Sequence, residues 1–200
     1  SGRVPAALNG LVGLKPSLGA WPTRGVVPAC ASLDCVTVFA HSLEDALSVD
    51  EVARGMDAYD PWSREVPVDR DRAGRVWPRK ILVPDNALHF YGPYTDDYSA
   101  AWEAALERLR GHGVEVEAVD CGYMFEAAAI LYDGSWVAER WAALGAWIEA
   151  HPGKAFPVTE RILRNGEDGR HSAAALFREM HQLQAYKKRT ERLLQDAVLM

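Results

Sequence analysis

The sequence predicts an α/β fold, and two observations indicate this class. Residues 79–119 contain an apolar run over 80–84, a helical pattern that starts near residue 94, and an alternating run over 114–119. A helix that connects two consecutive strands places them side by side as a parallel pair. Long helical patterns follow over about 122–150 and 171–195, so both kinds of element are well represented.

The first 40 residues are rich in glycine, proline and serine, with short apolar runs between them. Residues 11–15 and 35–39 are predicted to be short strands. The turn residues that separate these runs are Pro16, Gly19, Pro22, Gly25 and Pro28. A layer this rich in turns usually lies on a rigid scaffold, and such layers often carry functional sites.

Helix signals recur along the rest of the chain. Ser42, followed by Glu44 and Asp45, fits an N-cap with acidic residues in the first turn, and this helix should end near Gly55. A second helix should begin near Tyr94. Residues 57–78 form a charged segment that contains proline. Two further helices are predicted at 157–165 and 171–195, and the start of another strand is predicted at 197–200.

The composition limits the possible partners. The chain has 200 residues, of which 48% are hydrophobic and 25% charged, and its net charge is −6. A nucleic-acid-binding domain usually has a basic balance, so we expect no nucleic acid partner. The basic run 187–189 lies in a helical pattern and is interpreted as a solvated face. No apolar stretch reaches the ~20 residues of a membrane span, so we expect no membrane association.

The cysteines indicate a reducing compartment. The three cysteines, Cys30, Cys35 and Cys121, form no CxxC or His-Cys metal spacing. Reduced thiols in a cytoplasmic protein, with no metal held by cysteine, are therefore expected. The chain starts without a methionine and stops within an apolar run, so we expect part of a domain.

Four short blocks occur in order within the first 34 residues. They are Ser1-Gly-Arg-Val-Pro-Ala, Gly13-Leu-Lys-Pro, Arg24-Gly-Val-Val-Pro and Ser32-Leu-Asp. This pattern resembles the amidase-signature family, which carries Ser-x-Arg-x-Pro-Ala, Gly-Leu-Lys-Pro, Arg-Gly-Val-x-Pro and Ser-Leu-Asp blocks in the same order. The histidines show no partner pattern for a Ser-His-Asp triad.

The resemblance implies a serine nucleophile at Ser1. In that family the serine of the first block attacks an amide carbonyl, and water later cleaves the acyl-enzyme. A serine held by a cis peptide relays the proton to a neutral lysine, and both precede the nucleophile in the chain. The isolated 200 residues are therefore expected to be inactive. Lys15 lies in the structural Gly-Leu-Lys-Pro block and is not assigned the base role.

A second segment, 130–141, carries Tyr132, Trp136 and Arg140 at a spacing of four residues. If the segment is one helix, these side chains follow one stripe and could line a small polar pocket. An arginine guanidinium matches a carboxylate in bidentate fashion. On spacing alone, core packing with a surface charge is the favoured interpretation.

The segment Leu-Tyr-x-Gly-x-Trp-Val-Ala-Glu-Arg is similar to the allophanate hydrolase subgroup, as is Pro28-Ala-Cys-x-Ser-Leu-Asp-Cys. Allophanate is urea carboxylate, a small planar anion with a terminal amide. The similarity implies that Tyr132 and Arg140 contact this substrate and that ammonia is released. It also implies a homodimer and a functional link to a biotin-dependent urea carboxylase. The family resemblance implies that no cofactor is needed.

The fold implied by the resemblance is a single α/β domain around a large twisted mixed sheet with helices on both faces. Residues 1–200 would form the C-terminal part of that domain. Two alternatives remain open. One is another enzyme of the family, namely a general aliphatic or aryl amidase, a biuret-type hydrolase or the amidotransferase subunit that works on charged tRNA. The other is a truncated or catalytically dead interaction subunit.

Overall fold

The structure is a computed structural model that describes residues 2–67, 78–167, 169 and 171–200. It divides into two compact units. The first unit consists of Ser1–Arg70 and Val137–Asp168, and the second of Asp71–Trp136 and Gly169–Met200. The chain contains both helices and strands, including a parallel strand-helix-strand unit, which confirms the predicted α/β class.

The first unit contains one small antiparallel sheet and several helices. Its strands pair with Val12 opposite Ala40 and Leu14 opposite Val38. The second strand therefore begins three residues later than the predicted 35–39. The elements are α1 (Arg3–Leu8), β1 (Val12–Leu14), β2 (Val38–Ala40), α2 (Leu43–Ala53), nearly all of α5 (Trp136–Ala150) and α6 (Pro157–Arg164).

Helix α1 differs from the expectation of loops and strands over the first 40 residues. Pro5 is compatible with this helix since it lies in the first turn, where its missing N–H would have no helical partner. Ala6, Ala7 and Leu8 that follow are strong helix formers. Asn9 ends the helix, and its backbone N–H donates to the carbonyls of Pro5 and Ala6.

Helix α2 begins as predicted, because the Ser42 hydroxyl accepts a hydrogen bond of 3.1 Å from the Asp45 backbone. Near its end, the Asp50 carboxylate accepts from the indole N–H of buried Trp21 at 2.7 Å. Arg54 donates to the same carboxylate at 2.9 and 3.0 Å. These contacts hold the glycine- and proline-rich loop after β1 against α2.

The segment after α2 is tied to the same loop by buried Asp60. Its carboxylate accepts from the backbone N–H of Thr23 at 2.5 Å and of Trp62 at 2.9 Å. Gly19 adopts a φ of +75°, and a Cβ there would lie 2.6 Å from the Trp62 carbonyl oxygen. The close approach of these two loops therefore requires glycine at this position.

The second unit contains a parallel sheet of three strands in the order β4-β3-β5. Ile81 lies opposite Val116 on one side and opposite Val198 on the other. This arrangement confirms the predicted strand-helix-strand unit and the predicted final strand. The elements are β3 (Lys80–Pro84), α3 (Thr95–Gly111), β4 (Glu115–Val119), α4 (Gly122–Asp133), α7 (Ala173–Leu193) and β5 (Val198–Leu199).

The core of this unit forms around the central strand. Three consecutive residues of β3 are buried, as expected for a parallel strand that is covered on both faces. Ile81 and Val83 pack with Leu106 of α3 and with Val114, which immediately precedes β4. Partly buried apolar side chains complete this cluster: Trp102, Leu109 and Val116.

The helical stretch predicted over about 122–150 consists of two helices, because the chain breaks between α4 and α5. Gly134 is extended, with φ −93° and ψ −166°. The backbone N–H of Ser135 donates to the carboxylate of Glu179 in α7 at 2.8 Å instead of continuing the helix. Tyr132 and Arg140 therefore lie on two different helices, so the single stripe that one helix would have formed is absent.

Helix α7 packs against α4 in the second unit. The rings of Tyr123 and Tyr186 lie 5.7 Å apart, and the Tyr123 hydroxyl is 3.1 Å from the Thr190 hydroxyl. The Arg189 guanidinium lies 4.0 Å from the centre of the Tyr123 ring. Across the described part of the chain, no helix combines the length and hydropathy needed to cross a bilayer.

Gly145, buried in α5, provides a test of this packing. A Cβ at this position would lie 2.6–2.9 Å from the Trp141 indole, which the Arg164 guanidinium also contacts at 5.5 Å from the ring centroid. We expect Gly145→Ala to lower the free energy of unfolding by about 1–3 kcal/mol through overpacking. This loss should occur although alanine favours a helix by ~1 kcal/mol over glycine. Urea denaturation followed by circular dichroism measures the change.

The matched control is Gly111→Ala at the end of α3, where an added Cβ meets nothing within 4 Å. That variant should be as stable as the parent or slightly more stable. Equal stability of the Gly145→Ala variant and the parent would contradict the packing described for Trp141.

Candidate active site

The predicted nucleophile Ser1 lies outside the described residues, but the backbone that follows it is well defined. A Cβ on Gly13 would lie 2.8 Å from the Gly2 carbonyl oxygen and 2.8 Å from the Ala6 Cβ. The glycine of the Gly-Leu-Lys-Pro block is therefore needed where β1 passes the start of α1. This block supports the segment that carries Ser1.

Lys15 occupies a structural position. Its ammonium donates to the Pro16 carbonyl at 2.7 Å and lies 3.9 Å from the Cys35 sulfur. The Cys35 thiol in turn donates to the same Pro16 carbonyl at 3.3 Å. These contacts agree with a structural role for Lys15 and give no support to a base role.

The Ser32-Leu-Asp block closes a tight loop, which we call the 28–34 loop. The Asp34 carboxylate accepts hydrogen bonds from the backbone N–H groups of Ala29 at 2.9 Å and Cys30 at 3.0 Å. The Leu33 N–H donates to the Cys30 carbonyl at 2.8 Å. The aspartate of the block thus acts as an internal acceptor that shapes the loop.

Glu139, in the first turn of α5, joins this loop to the helix. One carboxylate oxygen accepts from the Ser32 backbone N–H at 2.7 Å. The other accepts from the Ser32 hydroxyl at 2.6 Å and from the Cys30 thiol at 3.2 Å. The two segments that resemble allophanate hydrolases, 28–35 and 130–141, therefore contact each other directly.

The electrostatics of this contact follow from burial and from the hydrogen bonds. Burial of Glu139 by itself raises its pKa, but the donors Ser32 and Cys30 and the nearby Arg140 charge outweigh it, so the pKa lies below 4.5. Burial, followed by the hydrogen bond to Glu139, raises the pKa of the Cys30 thiol to about 11. At neutral pH the contact consists of a carboxylate and a protonated thiol that donates to it.

Arg140 lies beside this contact. The residue is partly buried, and its Nε atom is shielded from solvent. Arg140 follows Glu139 directly in α5, and its positive charge is one of the causes that lower the pKa of Cys30 and of Glu139. Among the site residues predicted from the sequence, the structure thus associates Arg140 with the 28–34 loop.

Tyr132 lies in the last turn of α4 and is 63% exposed. It belongs to the second unit, whereas Arg140 belongs to the first. These two side chains therefore do not share one helix, although their spacing would have allowed it. Their joint role in binding remains a prediction.

Sequence reasoning missed Glu139, Ser32 and Cys30 as a group. A signal was present, since all three residues lie within the two segments that resemble one subgroup of the family. Nothing in the spacing of 28–35 and 130–141 indicates that they meet, because they are separated by about a hundred residues. Among the described residues, no group of three or more His, Cys, Asp or Glu side chains could hold a metal ion.

Comparison with known proteins identifies the family. Residues 1–198 match the sequence model of the family described as Amidase. The chain belongs to the amidase family. The urea amidolyase of Lachancea kluyveri is 34% identical over 98% of this chain. A glutamyl-tRNA(Gln) amidotransferase subunit from Mycobacterium avium is 32% identical over 86% of it.

Among solved structures, a selenomethionine-substituted allophanate hydrolase from Kluyveromyces lactis is 35% identical over 98% of this chain, with a TM-score of 0.86. This similarity confirms the amidase fold that the resemblance implied. The chain spans 10% of the length of the urea amidolyase and 32% of that allophanate hydrolase chain.

The burial of Cys30 predicts the order in which the thiols react. Cys30 is 6% exposed and Cys121 is 4% exposed, and burial raises the pKa of both thiols, whereas Cys35 is partly exposed. With iodoacetamide at about pH 8, we expect Cys35 to be alkylated well before the other two. Peptide mass spectrometry over time measures the rates. Denatured protein, in which all three should react alike, is the control, and rapid alkylation of Cys30 in the folded protein would contradict the described loop.

The lowered pKa of Glu139 predicts an acid-sensitive contribution to stability. A carboxyl with a lowered folded pKa stabilises the protein fully above its ordinary value of 4.5, and this contribution is lost as the pH falls through the folded pKa. From about pH 6 to about pH 3, the native protein should therefore lose more stability than Glu139→Gln, which does not titrate in this range. Thermal unfolding across this range measures the difference. Glu149→Gln, on the exposed side of α5, should behave like the native protein.

Proposed function

We propose that this protein hydrolyses the amide C–N bond of allophanate and releases ammonia through a serine acyl-enzyme. One observation carries the proposal: the two segments that resemble allophanate hydrolases meet at Glu139, which directly precedes Arg140 in α5. The similarity to the urea amidolyase and to the allophanate hydrolase structure, over 98% of the chain in each case, supports the same activity.

In the proposed reaction, the Ser1 hydroxyl attacks the carbonyl carbon of the terminal amide. Its proton passes to the serine and lysine that the resemblance expects upstream, and then to the departing nitrogen, which leaves as ammonia. Water then cleaves the ester that joins Ser1 to the remaining part of the substrate. The described contacts of Gly13 with Gly2 and Ala6 support the backbone from which Ser1 would act.

The proposed role of Arg140 is to bind the substrate carboxylate. A partly buried guanidinium forms stronger charge-assisted hydrogen bonds with a carboxylate than a fully solvated one would. Tyr132 is proposed to donate a hydrogen bond to the substrate, which its exposed position at the end of α4 permits. No cofactor takes part in this scheme.

We also propose that residues 1–200 form the C-terminal part of an amidase-signature domain. Helix α2 supports this, because its apolar side chains Leu43, Leu47 and Val52 are 54%, 48% and 88% exposed. Exposed apolar faces of this kind usually meet another surface. The isolated segment is expected to be inactive, because the resemblance places the lysine base and the cis-peptide serine upstream of Ser1. A cytoplasmic homodimer linked functionally to a biotin-dependent urea carboxylase remains part of the proposal.

The alternative within the family is an enzyme for neutral amides or for charged tRNA. An enzyme for neutral amides has no carboxylate to place against Arg140, so this residue favours an anionic substrate over a neutral one. An enzyme for charged tRNA would also need a partner surface, which the sequence does not display. The alternative of another class is a catalytically dead interaction subunit. Amide hydrolysis by the full-length protein would exclude this alternative.

Ammonia release by the full-length protein tests the proposal. Allophanate is compared with biuret, in which a neutral amide replaces the carboxylate. We expect a strong preference for allophanate. Arg140→Ala should lose about 2–5 kcal/mol of binding to the anionic group. This corresponds to a ~30- to ~5,000-fold decrease in kcat/KM for allophanate. Tyr132→Phe should have a smaller effect in the same direction.

Arg161→Ala is the matched control, because Arg161 is an exposed arginine of α6 in the same unit. It should leave both activities unchanged. A native protein that prefers biuret, with little effect of Arg140→Ala, would instead indicate a general amidase. Absence of any amide hydrolysis by the full-length protein would indicate the interaction subunit.

A further inference from the structure

Glu139 is held more firmly than a surface carboxylate in the first turn of a helix. Three donors from the 28–34 loop reach it within 3.2 Å, and they occupy both of its oxygens. Ser32 supplies two of these donors, and buried Cys30 supplies the third. Hydrogen bonds to an ionised acceptor are stronger than those between neutral groups, so this contact connects the loop and α5 tightly.

Glu139 directly precedes Arg140 in the sequence, so the contacts of Glu139 also affect the orientation of Arg140. Successive residues of a helix are rotated by about 100° around the axis. Once the Glu139 carboxylate is held by the loop, the first turn of α5 can neither rotate nor slide without breaking those bonds. The direction in which Arg140 leaves the helix is therefore determined by the contacts of Glu139.

We propose that Glu139 is a positioning residue that sets the specificity for an anionic substrate by holding the turn of α5 that carries Arg140. This inference rests on the proposed function of Arg140. In this proposal Glu139 acts through Arg140, since its carboxylate accepts three hydrogen bonds from the 28–34 loop. Ser32 and Cys30 contribute to the same positioning, because they donate the hydrogen bonds that hold the Glu139 carboxylate.

A role as a general base does not fit Glu139. Its oxygens accept hydrogen bonds from three protein donors, and the carboxylate stays ionised at neutral pH because its pKa lies below 4.5. A general base is most effective with a pKa near the working pH. Loss of Glu139 should therefore change the placement of Arg140 and leave the attack by Ser1 on a bound neutral amide largely unaffected.

The test is the selectivity of the full-length enzyme for allophanate over biuret. In Glu139→Ala, we expect kcat/KM for allophanate to fall ~10- to ~100-fold, mostly through KM, as for a binding group displaced by about 1 Å. Biuret hydrolysis should change little. Glu139→Gln should recover part of the selectivity, because its amide oxygen can still accept from Ser32. Ser32→Ala should produce a smaller loss, since the backbone N–H donor remains.

The double variant Glu139→Ala/Arg140→Ala separates positioning from general stability. If Glu139 acts through Arg140, the double variant should be no less selective than Arg140→Ala alone, so the two effects are not additive. Equal losses toward allophanate and biuret, or additive losses of selectivity, would overturn the inference. Glu149→Ala, an exposed glutamate of the same helix, should have native selectivity.

The behaviour of the native enzyme distinguishes the two proposals. Without a preference for allophanate over biuret in the native protein, both the proposed function and this inference fail. With that preference present and abolished by Arg140→Ala, but unchanged in Glu139→Ala, only the positioning role fails. If Glu139→Ala does not fold, Glu139→Gln and Ser32→Ala provide the same comparison, and native selectivity in both would overturn the proposal.

Discussion

The hydrogen bonds between the Glu139 carboxylate and the 28–34 loop are the contact on which the candidate site depends. They join two segments that are distant in the sequence, and both resemble the same subgroup of amidases. A carboxylate that is partly removed from water, as that of Glu139 is, is unfavourable unless donors compensate for the lost hydration. Here Ser32 and Cys30 donate the hydrogen bonds that provide this compensation, so the packing of the 28–34 loop against α5 stabilises both segments.

This contact also explains why Arg140 can be held at a partly buried position. A positive charge that is removed from water requires nearby negative or polar groups. The Glu139 carboxylate lies close enough for the two charges to influence each other. The Asp34 carboxylate shapes the same loop from within by accepting from two backbone N–H groups. The Ser-Leu-Asp block of the family thus has a structural reason for its serine and for its aspartate.

The interruption between α4 and α5 determines which helix carries Tyr132, the other predicted substrate-binding residue. Gly134 leaves the helical conformation, and a Cβ there would lie 2.5 Å from the Ile130 carbonyl oxygen. The Ser135 backbone N–H donates to the Glu179 carboxylate, whereas in a continuous helix it would donate to a backbone carbonyl of the same helix. Tyr132 thus lies in α4, in the second unit, and Arg140 lies in α5, in the first.

The sequence by itself determined the family, the α/β class and most of the elements. The four blocks in 1–34 and the pattern of 79–119 are local, and short-range periodicity and turn chemistry are visible in one chain. The contact of Glu139 with Ser32 and Cys30 and the break at Gly134 were decided by the tertiary structure. Each depends on groups that meet only after folding: a carboxylate with loop donors in the first case, and Ser135 with a glutamate of α7 in the second. Hydrogen-bond partners at such separations leave no periodic signal in the sequence.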